Sequence, residues 1–203
     1  EATPLMTKAA TQRARTSGVL LHPTALPDSP VCGTFGEPSR RWLHELANSG
    51  IGVWQMLPLA PPDPTGSPYS SPSCFAINAW FLDASDLANE QFISQDALNG
   101  LPGASMAGAT LVDFQLANHR SEALADALLA AWPQQASERQ DAFQHWCSQQ
   151  SWLEDHVLFS VLHAQHNNAW WTWPKPLAQH QRGALQAWAA DNQASLLKER
   201  LMQ

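Results

Sequence analysis

The sequence predicts an α/β chain: one βαβ unit, then a long helical segment. Three observations carry this. Two short apolar runs, Gly18 to Leu21 and Val53 to Leu59, lead into proline-bearing loops, as buried strands do. Between them, Glu37 to Ser49 has Pro38 in a first-turn position and Gly50 just past the end, the punctuation of a helix. From Ser85 onward the apolar pattern turns helical and stays so.

Taken in order, residues 1–17 are polar and small and are expected to be a disordered N-terminus. They hold no apolar core of a signal peptide. The chain opens on Glu1 with Met6 close behind, so a partial or processed chain is expected. Residues 18–84 form the βαβ part. Trp42, Leu43, Leu46 and Ala47 share one helix face, and the two strands are expected to be parallel. The second strand empties into Thr65 to Ser71, a run of turn-formers that carries Tyr69, the only tyrosine in a chain with ten tryptophans. Ala79 to Leu82 is a short apolar run.

Residues 85–203 read as a helical subdomain. Ser85 and Ser94 look like N-caps, and Ser137 with Gln140 and Ser151 with Glu154 have capping-box spacing. Gly100 to Gly108 is a small-residue loop. Leu116, Leu124, Leu128 and Trp132 recur at helical spacing, and the helix after Ser151 is apolar almost all round. Trp132, Trp146, Trp152 and Trp188 sit at core spacings. Trp170 to Pro176 is expected to be extended, because of its two prolines, and Gly183 to Gln203 to be one helix. Two parallel strands make no stable sheet by themselves, so further strands from a partner or from additional sequence are expected.

Composition narrows the function. A net charge of −7 with no Lys/Arg block speaks against nucleic acid, which needs a basic stripe. No run reaches the length of a membrane span. Cys32, Cys74 and Cys147 are widely spaced and odd in number, which predicts reduced thiols and a cytoplasmic protein. Asp83 with Asp86, and Glu154 with Asp155, read as helix-start charges. His156, His163 and His166 lack the converging ligands of a metal site and read as helix-surface histidines. His22 either lines a cleft or only bonds its turn, and Asp63 either faces a ligand or belongs to a solvated turn. No nucleophile elbow or phosphate-cradling glycine loop is present.

Five blocks in order then carry a resemblance: Ser17 to Pro27 (SGVLLHPTALP), Gly33 to Gly36 (GTFG), Val53 to Leu59 (VWQMLPL), Gly66 to Ser71 (GSPYSS) and Phe75 to Asn78 (FAIN). Together they resemble the opening of the 4-alpha-glucanotransferases, or amylomaltases. Val112 to Phe114 and Trp170 to Leu177 are similar to that family's helical insertion. The resemblance covers the chain from about Ser17. It implies the N-terminal piece of a (β/α)₈ barrel followed by an inserted helical subdomain, cut off at the C-terminus. It also implies transfer of α-1,4-glucan segments between maltodextrins without metal or other cofactor. The loop after the second strand would then lie on the catalytic face. Tyr69 would stack on the sugar beside the cleavage point, and Ser67 would line the same site. An aromatic ring can cover the apolar C–H face of a sugar while its hydroxyls keep polar partners.

Two departures stand out. A further tyrosine that often precedes the loop falls at about Pro64 here, and the glutamine that often follows Tyr69 is Ser70. None of the acids matches the nucleophile and acid/base of a retaining enzyme. The expected chain therefore supplies Ser67 and Tyr69 to a donor sugar site, holds no catalytic residue, and is inactive alone. The alternatives are a non-catalytic maltodextrin-binding module and a purely structural fragment, the last of which expects Tyr69 to be buried.

Overall fold

The computed structural model describes residues 15–63, 65–106 and 111–203. Most of the expected disordered stretch, residues 1–14, and the end of the small-residue loop, 107–108, lie outside the described residues.

Strand β1 (Gly18–Leu20) and strand β2 (Val53–Gln55) pair in parallel, with Gly18 opposite Val53 and Leu20 opposite Gln55. The ladder runs one bond further at each end: the amide of Gly52 donates to the carbonyl of Ser17 (3.2 Å) and that of Leu21 to Gln55 (3.0 Å). The second strand is shorter than its apolar run. Pro58 has no N–H to donate, and no other described strand lies beside Met56 to Leu59. The crossover carries helix α1 (Glu37–Asn48), with Pro38 in its first turn and Gly50 at φ +70° beyond its end.

Trp54 ties this unit together. Its Nε1 donates to the Leu21 carbonyl (2.8 Å), and its ring meets Phe35 and Trp42 edge-on at 6.4 and 6.5 Å. Of the four apolar residues on one face of α1, only Leu46 is buried. Leu20 and Val53 share one sheet face and are 57% and 44% exposed, so that face is left uncovered.

The remaining helices are α2 (Ala84–Asn89), α3 (Gln95–Gly100), α4 (Phe114–Ala131), α5 (Ser137–Gln149), α6 (Leu153–His166), α7 (Lys175–Ala178), α8 (Arg182–Asp191) and α9 (Gln193–Met202). Leu124, Ala125 and Leu128 of α4 pack with Ala84, Ile93, Leu101 and Met202. Leu153, Val157 and Val161 of α6 pack with Cys147 and Leu196. Helix α9 thus stands between the two clusters. Each fully buried aliphatic side chain contributes roughly 1.5–3 kcal/mol.

Local chemistry explains where the helical reading holds and where it shifts. Ser94 caps α3 as expected, but α2 is capped by Asp83, whose Oδ1 accepts from the amides of Ser85 and Asp86. Neither expected capping box forms. Helix α5 begins on Ser137 itself, and Gln140 Nε2 donates back to the carbonyls of Trp132 and Gln135. Helix α6 begins on Leu153 with no side-chain cap.

Trp170 to Pro176 is not extended. Trp170–Thr172 makes a 3₁₀ turn, and Pro176 falls in the first turn of α7, where its missing N–H costs nothing. The last segment is two helices, broken at Asn192. The Asn192 Nδ2 donates to the Trp188 carbonyl (2.8 Å), and its Oδ1 accepts from Gln165 Nε2 (2.6 Å).

The βαβ unit joins the helices through Val31, Cys32 and Trp80, which pack on Ala117 of α4. Trp80 Nε1 donates to Asn118 Oδ1 (2.9 Å), and the Trp80 ring stacks on Phe114 at 5.3 Å. Burial pushes the Cys32 thiol up to about 11, against a smaller opposing pull from Arg120, so it stays protonated.

Candidate functional site

Because β1 and β2 are parallel and nearly in register, their C-terminal ends open on one edge. His22 leaves the first and the loop 56–78 leaves the second. That loop owes its shape to Asp63. Its Oδ1 accepts from Thr65 Oγ1 (2.6 Å), from the Thr65 amide (2.9 Å) and from the Ser67 amide (3.1 Å). The Gly66 amide donates to the Asp63 carbonyl (2.9 Å). This is a carboxylate closing a turn on its own following backbone. The Thr65 hydroxyl first, and then the Ser67, Thr65 and Gly66 amides, hold the Asp63 carboxyl below the usual aspartate range, against a smaller desolvation effect. Of the two roles the sequence left open for Asp63, the loop uses it as organiser.

The far side of the turn is fixed by Phe114. Gly66 has φ +81°, and a β-carbon there would fall 2.6 Å from Phe114 Cε2. Phe114 in turn is stacked on Trp80, so the loop is pressed onto the first residue of α4. Beyond this clamp Ser67 is half-buried, and its Oγ accepts from the Tyr69 amide at 3.4 Å. Tyr69 is 72% exposed, which removes the reading in which its ring is core packing.

Behind the loop lies a cavity of about 190 Å³, walled by His22, Thr24, Pro68, Asn78, Trp80 and Phe114 among others. His22 Nδ1 and Thr24 Oγ1 are 2.8 Å apart, while His22 Nε2 is buried without a partner. Burial lowers the His22 pKa, with the Pro58 carbonyl working the other way, so the ring is neutral near pH 7. His22 therefore both bonds its turn and lines the cleft. Among the described residues the cavity lining carries no Asp or Glu. Neutral donors, acceptors and aromatic faces can hold a polyhydroxylated ligand; they supply no nucleophile.

The other candidate groups are structural. Asp83 accepts from Thr34 Oγ1 (2.5 Å) besides capping α2, and Asp86 takes a two-pronged bond from Arg40, both prongs at 2.9 Å. Glu154 pairs with Arg200. His163 and His166 stack on Phe159 and Trp173. His156 is not a surface residue: its side chain is 9% exposed between α6 and α9, 3.5 Å from Glu199. Trp132 is buried as its spacing predicts, but Trp146 is exposed. Among the described residues no three His, Cys, Asp or Glu converge as metal ligands. Pro64, where the resemblance puts a lost outer contact, lies outside the described residues.

The sequence reading missed Phe114 and Asn78 as parts of this site. Phe114 is some fifty positions from Gly66, a contact that no local pattern announces. Asn78, two residues before Trp80 and accepting from its amide (3.0 Å), follows a turn-capping pattern that could have been read.

A parallel βαβ unit with an aromatic loop at its strand ends, docked on a helical layer, has a counterpart among solved enzymes. An amylomaltase from Streptococcus agalactiae, solved in complex with acarbose, superposes with a TM-score of 0.84 over 94% of this chain and 38% of its own. At 24% identity that likeness speaks for the fold alone. Sequence carries the rest. The profile of the 4-alpha-glucanotransferase family matches residues 21–203, and the chain belongs to that family. The Synechocystis 4-alpha-glucanotransferase is 32% identical over 192 residues, which is 93% of this chain and 37% of that protein. The Thermus thermophilus 4-alpha-glucanotransferase is 32% identical over 84% of this chain and 33% of its own length. The chain thus spans about a third of the curated relatives it matches. No helix among the described residues is long and apolar enough to cross a membrane.

Proposed function

We propose that this chain supplies one wall of the donor sugar site of a 4-alpha-glucanotransferase, with Tyr69 stacking on a glucose ring and Ser67 beside it. The substrates are maltodextrins, and the reaction moves α-1,4-glucan segments from one to another with retention. The observation that carries the reading is the exposed Tyr69 ring on a turn closed by Asp63 and clamped by Phe114, in a chain of this family. A preorganised aromatic ring binds a sugar face without first being ordered.

In this reading residues 18–84 are the first part of a (β/α)₈ barrel and 85–203 an inserted helical subdomain. Among the described residues β1 and β2 each leave one edge unpaired, which supports additional strands beside them. The nucleophile and acid/base come from that further polypeptide, since the cavity lining here is free of carboxylates. The chain alone is then a weak maltodextrin binder that does not turn over. Three free thiols, Cys32, Cys74 and Cys147, fit a reducing compartment such as the cytoplasm.

The test is incubation of the purified chain with maltotriose, alongside calorimetric titration with maltoheptaose. No glucose and no longer oligomers should form, and the weak heat of binding should fall for Tyr69→Ala. Disproportionation by this chain would contradict the absent acids, and binding untouched by Tyr69→Ala would remove the donor-wall role.

A further inference from the structure

A second aromatic feature lies outside this loop. Between α6 and α7, Trp170 and Trp171 are 50% and 69% exposed, with ring centroids 5.8 Å apart and planes at 86°. From Leu153 to Gln203 they are the only exposed large apolar side chains. Among the described residues nothing buries these two adjacent indoles, and leaving them exposed is unfavourable.

The turn that carries them is rigid. The amide of Thr172 donates to the Ala169 carbonyl (2.9 Å) and that of Trp173 to the Trp170 carbonyl (3.2 Å). Thr172 Oγ1 donates to Ala169 O (2.7 Å), and Trp173 Nε1 to Asn168 O (3.2 Å). Trp173 is itself buried and packs against Phe159 and His166, so the base of the turn is anchored in the core. The two rings are held as an L-shaped platform.

Size and charge decide what fits it. Two part-exposed indoles offer on the order of 300 Å², well short of the area a stable protein partner covers. From Asn167 to Pro176 the single charged side chain is Lys175, which gives no basic stripe for a nucleic acid. Asn167, Asn168 and Thr172 are neutral and exposed. Flat apolar faces beside neutral hydrogen-bonding groups suit a chain of sugar rings.

We propose that Trp170 and Trp171 form an auxiliary binding platform for α-1,4-glucan, separate from the Tyr69 loop. Its role is to hold a long glucan by rings remote from the bond being transferred. The choice of glucan rests on the proposed transferase function; the existence of a platform does not.

The test is electrophoresis of the chain through native gels containing soluble amylose, for the wild type, Trp170→Ala/Trp171→Ala, Trp171→Ala alone, and Tyr69→Ala. Circular dichroism checks each fold. The wild type should be retarded, the double variant should bind roughly tenfold more weakly, and the single variant should fall between them. Tyr69→Ala, which removes the donor-wall ring, should lose less retardation than the double variant. An unretarded wild type, or a double variant retarded as much as the wild type, overturns the platform. Retardation lost only in Tyr69→Ala overturns it too, while leaving the donor-wall reading in place.

Discussion

Gly66 and Phe114, far apart in sequence, are in contact so close that glycine is the only residue the site admits without movement. A β-carbon at Gly66 would lie 2.6 to 2.8 Å from three carbons of the Phe114 ring, and its φ of +81° is itself unfavourable for other residues. This contact sets the loop at the sheet edge against the helical layer.

Gly66→Ala should therefore destabilise the chain by about 1–3 kcal/mol, from backbone strain plus displacement of a ring stacked on Trp80. A thermal melt should show a fall of roughly 2–4 °C per kcal/mol for a chain of this size. An unchanged melt would mean that the loop lifts off Phe114 freely.

The bonds to Asp63 make the loop sensitive to acid. Its carboxyl titrates below the unfolded value, so its ordering effect is fully present above that value, near pH 4, and is lost as pH falls through the lower folded-state pKa. The amide resonances of Thr65 and Ser67 should move together with a midpoint below about 4. In Asp63→Asn that transition should vanish.

Asp83 serves two elements, capping α2 and accepting from Thr34 of the βαβ unit. Asp83→Ala should cost about 1–3 kcal/mol in urea unfolding. Thr34→Val should cost less, because it leaves the cap in place.

Leu153, fully buried in the cluster between α5, α6 and α9, supports the helical layer. Leu153→Ala should cost about 2–5 kcal/mol. Tyr69→Ala should stay within roughly 0.5 kcal/mol of the parent, since its ring packs on little.

These contacts show what the sequence could and could not disclose. The βαβ order, the parallel pairing and the limits of α1 followed from Pro38, Gly50 and two apolar runs, because each acts locally. The family was legible from five short blocks. Strand lengths were not, because Met56 to Leu59 can pair only with a neighbour that the apolar run does not reveal. Serines at box spacing misled at Ser137 and Ser151, where Ala136 and Trp152 hold the cap positions. Pro176 misled because a proline that forbids a helix interior is welcome in its first turn. The loop that carries Ser67 and the exposed Tyr69 could be named from its run of turn-formers. Phe114, which holds their loop, could not, since its partners Gly66 and Trp80 are met only in the folded chain.

The most direct test uses the uniqueness of Tyr69: its ring resonances, labelled selectively, report one place in the molecule. Titrated with maltoheptaose, those resonances should shift saturably at millimolar sugar, with the Ser67 amide moving in step. A Tyr69 ring that stays unmoved throughout the titration would contradict the claim that this loop is a wall of the glucan site.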